Sequence, residues 1–306
     1  MLDNNISIVN SDCFIYIKNI PDNFVDCVIT DPPYFIDGMQ NNWDVENLNN
    51  KVKKSNVIGS MPVGMKFDIQ QGKDLQNFIS QISTEIFRVL KPGGFYLSFS
   101  QARLYHRMAV AIEDNGFEIR DMLIWKRESQ AKAFSQNHFV YKYMNDISDE
   151  EKQYIIQQLN NRKTPQLKGQ SEPIVLAQKP KEGTFINNWL KYKVGLIDTN
   201  ISLDGKFPGT IMEVAKPKGK ERASHSHLTM KPIALIEHLV KIFTTENSLV
   251  LDPFLGSGST AIACLNSNRR FIGIELNKQY FDETKIRLEN YIKEKDLDIQ
   301  LNLELK

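Results

Sequence analysis

Two short segments, far apart in the chain, combine residue types that could hold a ligand and react with it. The first is Asp31, Pro32, Pro33, Tyr34. Consecutive prolines fix the backbone, remove two N–H donors and leave carbonyls free to accept. A carboxylate, a bare carbonyl and an aromatic ring are thus presented together, a set suited to a planar amine: the acceptors take its two N–H groups while the ring stacks on its face. The second segment is Leu249, Val250, Leu251, Asp252, Pro253, Phe254, Leu255, Gly256, Ser257, Gly258, Ser259, Thr260. An apolar strand runs into two glycines and then a helix, which lets backbone come close to a ligand at the carboxyl end of a sheet. It has no G-K-[ST] ending and no lysine for phosphates, and it does not match G-x-G-x-x-G. Glu275 closes the next apolar run, Phe271 to Glu275, where a carboxylate suits hydrogen bonds from ribose hydroxyls. Each motif alone has a plainer reading, a proline turn with an incidental aspartate or a tight strand-to-helix connection. The two together point to a bound ligand facing an amine.

These residues need a scaffold, and the hydrophobic pattern describes one. Ile6 to Val9 and Val25 to Thr30 read as buried strands, the second ending at the prolines. Asp74 to Leu90 carries Leu75, Phe78, Ile79, Ile82, Ile86, Phe87 and Leu90 at helical spacing, stopped by Pro92, Gly93 and Gly94. A strand at Phe95 to Phe99, a helix from Leu104 to Asn115 and a strand from Glu118 to Trp125 follow. After Thr229 the alternation resumes: helix Pro232 to Phe243, strand Leu249 to Asp252, helix Thr260 to Asn266, strand Phe271 to Glu275, helix Gln279 to Lys293. This rhythm predicts an α/β sheet. Between the halves the period weakens, leaving a short helix at Asp149 to Leu159 and a strand at Pro173 to Gln178. Pro180 to Ser226 mixes glycine and proline with basic and aromatic residues, the composition of recognition loops. Asp37 to Gly72 is a second long stretch without pattern, expected to be a functional loop.

The 306 residues, 41% hydrophobic and 25% charged, exclude a disordered chain, a collagen-like fibre and a coiled coil. No apolar run approaches the roughly 20 residues that span a bilayer, and the first ten residues have no basic or apolar leader, so no membrane partner and a cytoplasmic setting are expected. Cys13, Cys27 and Cys264 lie far apart and fit reduced, buried thiols. The net charge of +1 hides a segregation: residues 1–124 hold 11 basic and 15 acidic residues, 125–231 hold 18 and 11, and 232–306 hold 9 and 11. A basic middle third creates a local field that favours a polyanion. Within it Lys126, Arg127, Arg162 and Lys163 are candidate phosphate contacts. His225 and His227 have no neighbouring cysteine or acidic cluster; they suit the surface or a ligand cover, and no metal is expected.

The motifs and their order resemble those of the S-adenosylmethionine-dependent DNA amino-methyltransferases acting on adenine N6 or cytosine N4. D-P-P-Y resembles the catalytic motif of that family and D-P-F-L-G-S-G-S-T its cofactor motif, and placing the catalytic motif first matches the β-type arrangement. Asn10, Ser11, Asp12 and Cys13 resemble the short acidic motif that contacts the cofactor adenine. Leu90 to Gly94 has its counterpart, and Leu228 to Pro232 resembles the segment covering the cofactor's methionine, with His227 at the family's histidine and Leu228 in place of the commoner proline. The resemblance implies a Rossmann-like class I methyltransferase fold: a seven-stranded, mainly parallel sheet with Pro173 to Gln178 as its one antiparallel strand, plus an irregular target-recognition region. It divides the chain into a catalytic half (1–125), a recognition region (126–226) and a cofactor-binding half (227–306). Asp31, Pro32, Pro33 and Tyr34 would be catalytic. Asp12, Cys13, Lys231, Asp252, Pro253, Phe254, Gly256, Gly258, Thr260 and Glu275 would bind S-adenosylmethionine, with Lys231 facing its carboxylate. Double-stranded DNA is the implied partner, in a bacterial or phage setting, and the family leaves room for a homodimer and a cognate restriction endonuclease.

Aspartate in place of serine at the head of the tetrapeptide favours, within that family, adenine N6 over cytosine N4, although the geometry accepts either amine. RNA and protein-glutamine methylation form another class, whose usual mark is N-P-P-Y; Asp31 and the basic middle region speak against it. A non-catalytic DNA-binding module would need neither motif intact. The expected reaction is therefore site-specific transfer of a methyl group to adenine N6, with the base flipped from the duplex and the methyl passed directly in line.

Overall fold

Apolar runs rich in β-branched residues form a single sheet. Its strands are β1 (Ile6–Asn10), β2 (Val25–Thr30), β3 (Leu90–Phe99), β4 (Glu118–Lys126), β5 (Ser171–Gln178), β6 (Ile211–Glu213), β7 (Leu249–Asp252), β8 (Arg270–Glu275) and β9 (Leu301–Glu304). The structure, a computed structural model, describes residues 6–34, 69–128, 133, 135–165, 167–226, 229–297, 299 and 301–304. Among these the strand order is β6-β4-β5-β3-β2-β7-β8-β1-β9. All pairings are parallel except those of β5, which runs antiparallel to both β3 and β4. The seven strands expected from the sequence form the centre, and the short β6 and β9 extend its two edges.

Helices cover both faces: α1 (Cys13–Tyr16), α2 (Ile69–Val89), α3 (Tyr105–Glu113), α4 (Asn137–Tyr143), α5 (Asp149–Gln158), α6 (Phe185–Tyr192), α7 (Gly219–Ala223), α8 (Ile233–Phe243), α9 (Ser259–Asn266) and α10 (Lys278–Glu294). Strand alternation divides the core in two. Phe95, Leu97 and Phe99 of β3 face Leu235 and Leu239 of α8, Ala261 of α9 and Phe281 of α10. Tyr96 faces the other way, into the layer holding Leu75, Ile79, Ile82 and Ile86 of α2 and Met108 and Ile112 of α3. Each such buried aliphatic contributes about 1.5–3 kcal/mol. Truncating one, as in Ile82→Ala, would cost ~2–5 kcal/mol and loosen the layer beneath the carboxyl strand ends. Among the described residues, no helix is long and apolar enough to cross a membrane. Cys13, Cys27 and Cys264 are buried and free.

The strands sort the chain between two edges of the sheet. β4 leaves at the carboxyl edge and β5 re-enters it there, with Lys126 opposite Ser171. β5 ends at the other edge, where α6 packs. There Asn188 donates to the carbonyls of Pro92 (3.0 Å) and Val194 (3.1 Å). A side chain on Gly93 would strike Asn188 Nδ2 at 2.3 Å, so this glycine is what lets α6 approach. β6 then returns to the carboxyl edge and releases residues 214–226 there. The middle region is thus divided between both edges, and its strands belong to the same sheet as the two halves.

Candidate active site

The carboxyl ends of β2, β7, β8 and β1 lie side by side, so the segments that follow them share one rim. β2 and β7 are adjacent and parallel, with Cys27 opposite Val250 and Val28 opposite Leu251. The proline turn and the glycine turn therefore leave neighbouring strands in the same direction. Thr30 Oγ1 donates to Asp252 Oδ1 at 2.6 Å, tying the two exits together.

Asp252 also accepts from Thr260 Oγ1 at 2.8 Å and from the Phe254 amide at 3.1 Å. Burial pushes its carboxyl up to about 6, against the downward pull of those donors. Grouped with the cofactor residues from sequence, Asp252 and Thr260 prove to be buried beneath the turn and bonded to each other; they shape it from below, and Pro253 is buried with them. Above, Gly256 and Gly258 take left-handed φ of 50° and 74°. A Cβ on Gly258 would meet Thr284 Cγ2 at 2.6 Å. Glu275 braces the rim: Oε2 accepts from the Gly256 amide at 2.8 Å and Oε1 from the Asn277 amide at 2.9 Å. Burial raises its carboxyl above the ordinary range while these two donors oppose the rise. Each oxygen keeps a further lone pair for a ligand hydroxyl.

Next to it the Ser11 amide and Asn10 Nδ2 both donate to the Glu275 carbonyl, at 3.1 and 2.8 Å. Asp12 stands beside Glu275 on the rim and caps α1 through the Phe14 amide at 2.8 Å. Phe14 and Phe78 meet edge to face at 5.4 Å between centroids, and Phe78 reaches Phe254 at 5.7 Å, an apolar wall beside the glycine turn. In the sequence Phe78 is legible only as a helix core position. The Cys13 thiol, assigned to the same site from sequence, is buried in the core, and burial, reinforced by Asp12, pushes it up to about 12.

At the proline turn, the Tyr34 hydroxyl donates to Asp31 Oδ1 and the Lys231 ammonium to Asp31 Oδ2. Lys231 also pairs with Glu172 Oε1 at 2.9 Å, and the Tyr34 hydroxyl lies 3.5 Å from the same oxygen. Arg127 Nε stands 3.5 Å from Glu172 Oε2, an ion-pair distance without hydrogen-bond alignment. Burial alone would lower the Lys231 ammonium, but Asp31 and Glu172 outweigh it and hold it above its ordinary value. Burial and then the same carboxylates keep the Tyr34 phenol well above its own. The resemblance directs Lys231 to the cofactor carboxylate. Instead its side chain, 8% exposed, reaches the proline turn, while its carbonyl accepts from Ser259 Oγ at 2.8 Å beside the glycine turn. Lys231 thereby links both motifs. Sequence reasoning misses Glu172, because strand pairing alone, Glu172 opposite Trp125, brings it to this rim.

Of the basic residues expected to meet phosphates, Lys126 pairs with Glu213 at 2.8 Å, and Arg162 and Lys163 are exposed beyond α5. Arg127 is turned inward to Glu172, its guanidinium 5.7 Å from the centroid of the Trp125 ring. Lys216, Lys218 and Lys220, on the segment released by β6, are exposed at the same edge, and sequence reasoning misses them as well. His225 is not a surface residue: its Nε2 lies 3.0 Å from Thr284 Oγ1 and its Nδ1 3.4 Å from Glu283. Burial lowers its pKa. His227, Leu228 and most of Asp37 to Gly72 lie outside the described residues.

A family model for DNA methylases of the N6/N4 type matches residues 25–286. The chain is 30% identical over 305 residues to the type II methyltransferase M.HindIII of Haemophilus influenzae, covering 92% of this chain and 94% of that protein. Its fold is similar to that of M1.HpyAVI in complex with SAM, with a TM-score of 0.55 and 24% identity over 92% of this chain and 98% of that one. It is similar also to the cytosine-N4-specific PvuII DNA methyltransferase, with a TM-score of 0.62 and 15% identity over 95% and 92% of the two chains.

Proposed function

Because the chain belongs to the N6/N4 DNA methylase family, whose members transfer methyl groups from S-adenosylmethionine to amines of DNA bases, we propose that it methylates adenine N6 at a specific sequence of double-stranded DNA. Asp31, Pro32, Pro33 and Tyr34 form its catalytic turn in this reading, and the rim after β7, β8 and β1 its cofactor seat. The observation that carries the proposal is the exit of both turns from adjacent parallel strands, tied by Thr30 and Asp252. An amine at the first then faces a ligand at the second.

S-adenosylmethionine supplies a methyl group on a sulfonium, an electrophile that needs no acid. The residues present suit it: a glycine turn admits close approach, Glu275 offers acceptors to ribose hydroxyls, Asp12 an acceptor to the adenine amine, and Phe254 an apolar surface. A base within a duplex cannot reach this rim, so it must be extruded at a cost of a few kcal/mol. Tyr34 stacks on the flipped base, and the Asp31 carboxylate and Pro32 carbonyl accept its two amino hydrogens. Those acceptors draw the nitrogen toward tetrahedral geometry and favour the positive charge that grows on it, which stabilises the transition state above the ground state. Holding the nitrogen in line with the methyl group would supply the remainder: the N–C bond forms as the methyl–sulfur bond breaks, leaving a neutral thioether, and the proton shed by the nitrogen passes by way of the Asp31 carboxylate to solvent.

Asp31→Ala is the direct test: methyl transfer to duplex DNA is lost while cofactor affinity is kept, and a fully active variant refutes the assignment. Adenine is favoured over cytosine by aspartate at the head of the turn, and the fold shared with a cytosine-N4 enzyme at 15% identity carries no weight on that choice. The mass of the modified nucleoside decides it. Residues 127–170 and 214–226 are the proposed recognition elements. A cognate endonuclease and a second copy of the chain belong to the same proposal, tested by protection of DNA from cleavage and by sedimentation.

A further inference from the structure

Asp31 has two carboxylate oxygens, and both are engaged, one by the Tyr34 hydroxyl and one by the Lys231 ammonium. The role proposed for Asp31 needs an oxygen turned to the amine and a negative charge opposite a nitrogen that is becoming positive. An ammonium resting on that carboxylate opposes both, since it neutralises the acceptor and repels the developing charge across a few ångströms of low-dielectric interior. Lys231 cannot be released to water, being 7% exposed. Among the described residues its other carboxylate partner is Glu172, at 2.9 Å. The Tyr34 hydroxyl has the same alternative at 3.5 Å.

We propose that Glu172 is a positioning residue for methyl transfer: it takes the Lys231 ammonium from Asp31 as the target amine enters, so that Asp31 meets the amine as a free carboxylate. The two donors thus have two arrangements, shared between the carboxylates or gathered on Glu172. Arg127, 3.5 Å from Glu172 Oε2, holds the receiving carboxylate from its far side. The antiparallel course of β5 makes this possible, because it starts at the carboxyl edge and sets Glu172 on the rim opposite Trp125. A glutamine at this position keeps the shape and one acceptor, but it cannot draw an ammonium away from a full carboxylate.

The inference rests on Asp31 as the amine acceptor, and the experiment separates the two. Single-turnover methyl transfer, cofactor affinity and DNA affinity are measured for Glu172→Gln, Glu172→Asp, Asp31→Asn and the double variant Glu172→Gln/Lys231→Met. Glu172→Gln is expected to bind cofactor and DNA as the parent does while its transfer rate falls about tenfold or more, less than the roughly 10²–10³ that removal of a direct electrostatic partner costs. Glu172→Asp, which keeps the charge, retains more activity than Glu172→Gln. The double variant recovers rate relative to Glu172→Gln, because no ammonium is left to occupy Asp31; a merely structural role for Glu172 predicts no recovery. A parental rate in Glu172→Gln, loss of cofactor binding by it, or a double variant no faster than the single overturns the proposal. Should Asp31→Asn stay fully active, the catalytic reading fails with it. If Asp31→Asn is inactive and Glu172→Gln is not impaired, only the role of Glu172 falls.

Discussion

Thr30 and Asp252, 222 residues apart in the chain, share a hydrogen bond of 2.6 Å between the ends of two adjacent strands. That bond lies beneath the place where the two motifs meet, and the carboxylate that receives it is buried. Held at about 6 against an ordinary 3.8, Asp252 binds a proton more tightly in the folded chain than in the unfolded one. The stability this group contributes is therefore complete below about pH 4 and lost as the pH rises through about 6. Asp252→Asn removes the titration. The unfolding free energy of the variant relative to the parent should rise by about 2 kcal/mol from pH 4 to pH 7, read from urea denaturation at each pH. A difference that stays flat across that range refutes the assignment.

Glu275 holds two backbone amides of the rim and, in the proposed function, the ribose hydroxyls. Glu275→Gln keeps one strong acceptor and turns an N–H₂ toward the other amide, so both the turn and the ligand lose a partner. Cofactor affinity should fall by about 1.5–3 kcal/mol, roughly ten- to a hundredfold. Calorimetric titration with S-adenosylmethionine checks this, and unchanged affinity would remove Glu275 from the site.

Gly258 combines a left-handed φ of 74° with a contact that a methyl group would violate, 2.6 Å from Thr284 Cγ2. Gly258→Ala should cost about 1–2 kcal/mol from the backbone conformation alone, with the clash added. The clash can be separated from the strain. In Gly258→Ala/Thr284→Ser the offending methyl is gone, while the hydroxyl that donates to the Gly256 carbonyl at 2.6 Å is retained. Thermal unfolding should show partial recovery in the pair; no recovery would mean that backbone strain dominates.

Lys216, Lys218 and Lys220 leave β6 at the edge that carries the site, opposed in residues 214–226 by Glu221 alone. Replacing all three by alanine should weaken DNA binding at low salt and flatten the slope of log affinity against log salt by about 0.9 for each phosphate that the segment no longer neutralises. The effect should be nearly the same for target and non-target duplexes, since binding to phosphates carries no sequence information. Binding titrations at several salt concentrations decide it. An unaltered slope would take this segment away from the DNA.

Much of the architecture is legible in the sequence because its elements announce themselves locally. β2, β7 and β8 are apolar runs ended by a carboxylate, followed by proline at the first two, and α2 shows its buried face every three to four positions. The ends are less visible. α2 begins at Ile69, five residues before Asp74, running through Gly72 where the sequence reading ends a loop, with Gln70 bonded to Asp74 at 2.8 Å. α6 is hidden in a glycine-rich stretch, although Thr184 caps it through the Asn187 amide. β9 escapes the sequence reading despite the alternation of Ile299, Leu301 and Leu303. At the site, residues inside the two motifs are legible, while those brought there by pairing between distant segments are not. Glu172 and Phe78 owe their place to strand and helix packing, and the direction of Lys231 depends on a partner 200 positions away.

β4 and β5 open and close residues 127–170 at neighbouring positions of one rim, where the Arg127 amide bonds to the Gln170 carbonyl at 2.8 Å. A loop whose two feet are so close behaves as a graft. Its interior can be exchanged, lengthened or shortened without altering strand order or the proline and glycine turns, because loop closure depends only weakly on length. If residues 127–170 read the target as proposed, a lineage could acquire a new target sequence by rewriting this stretch together with residues 214–226.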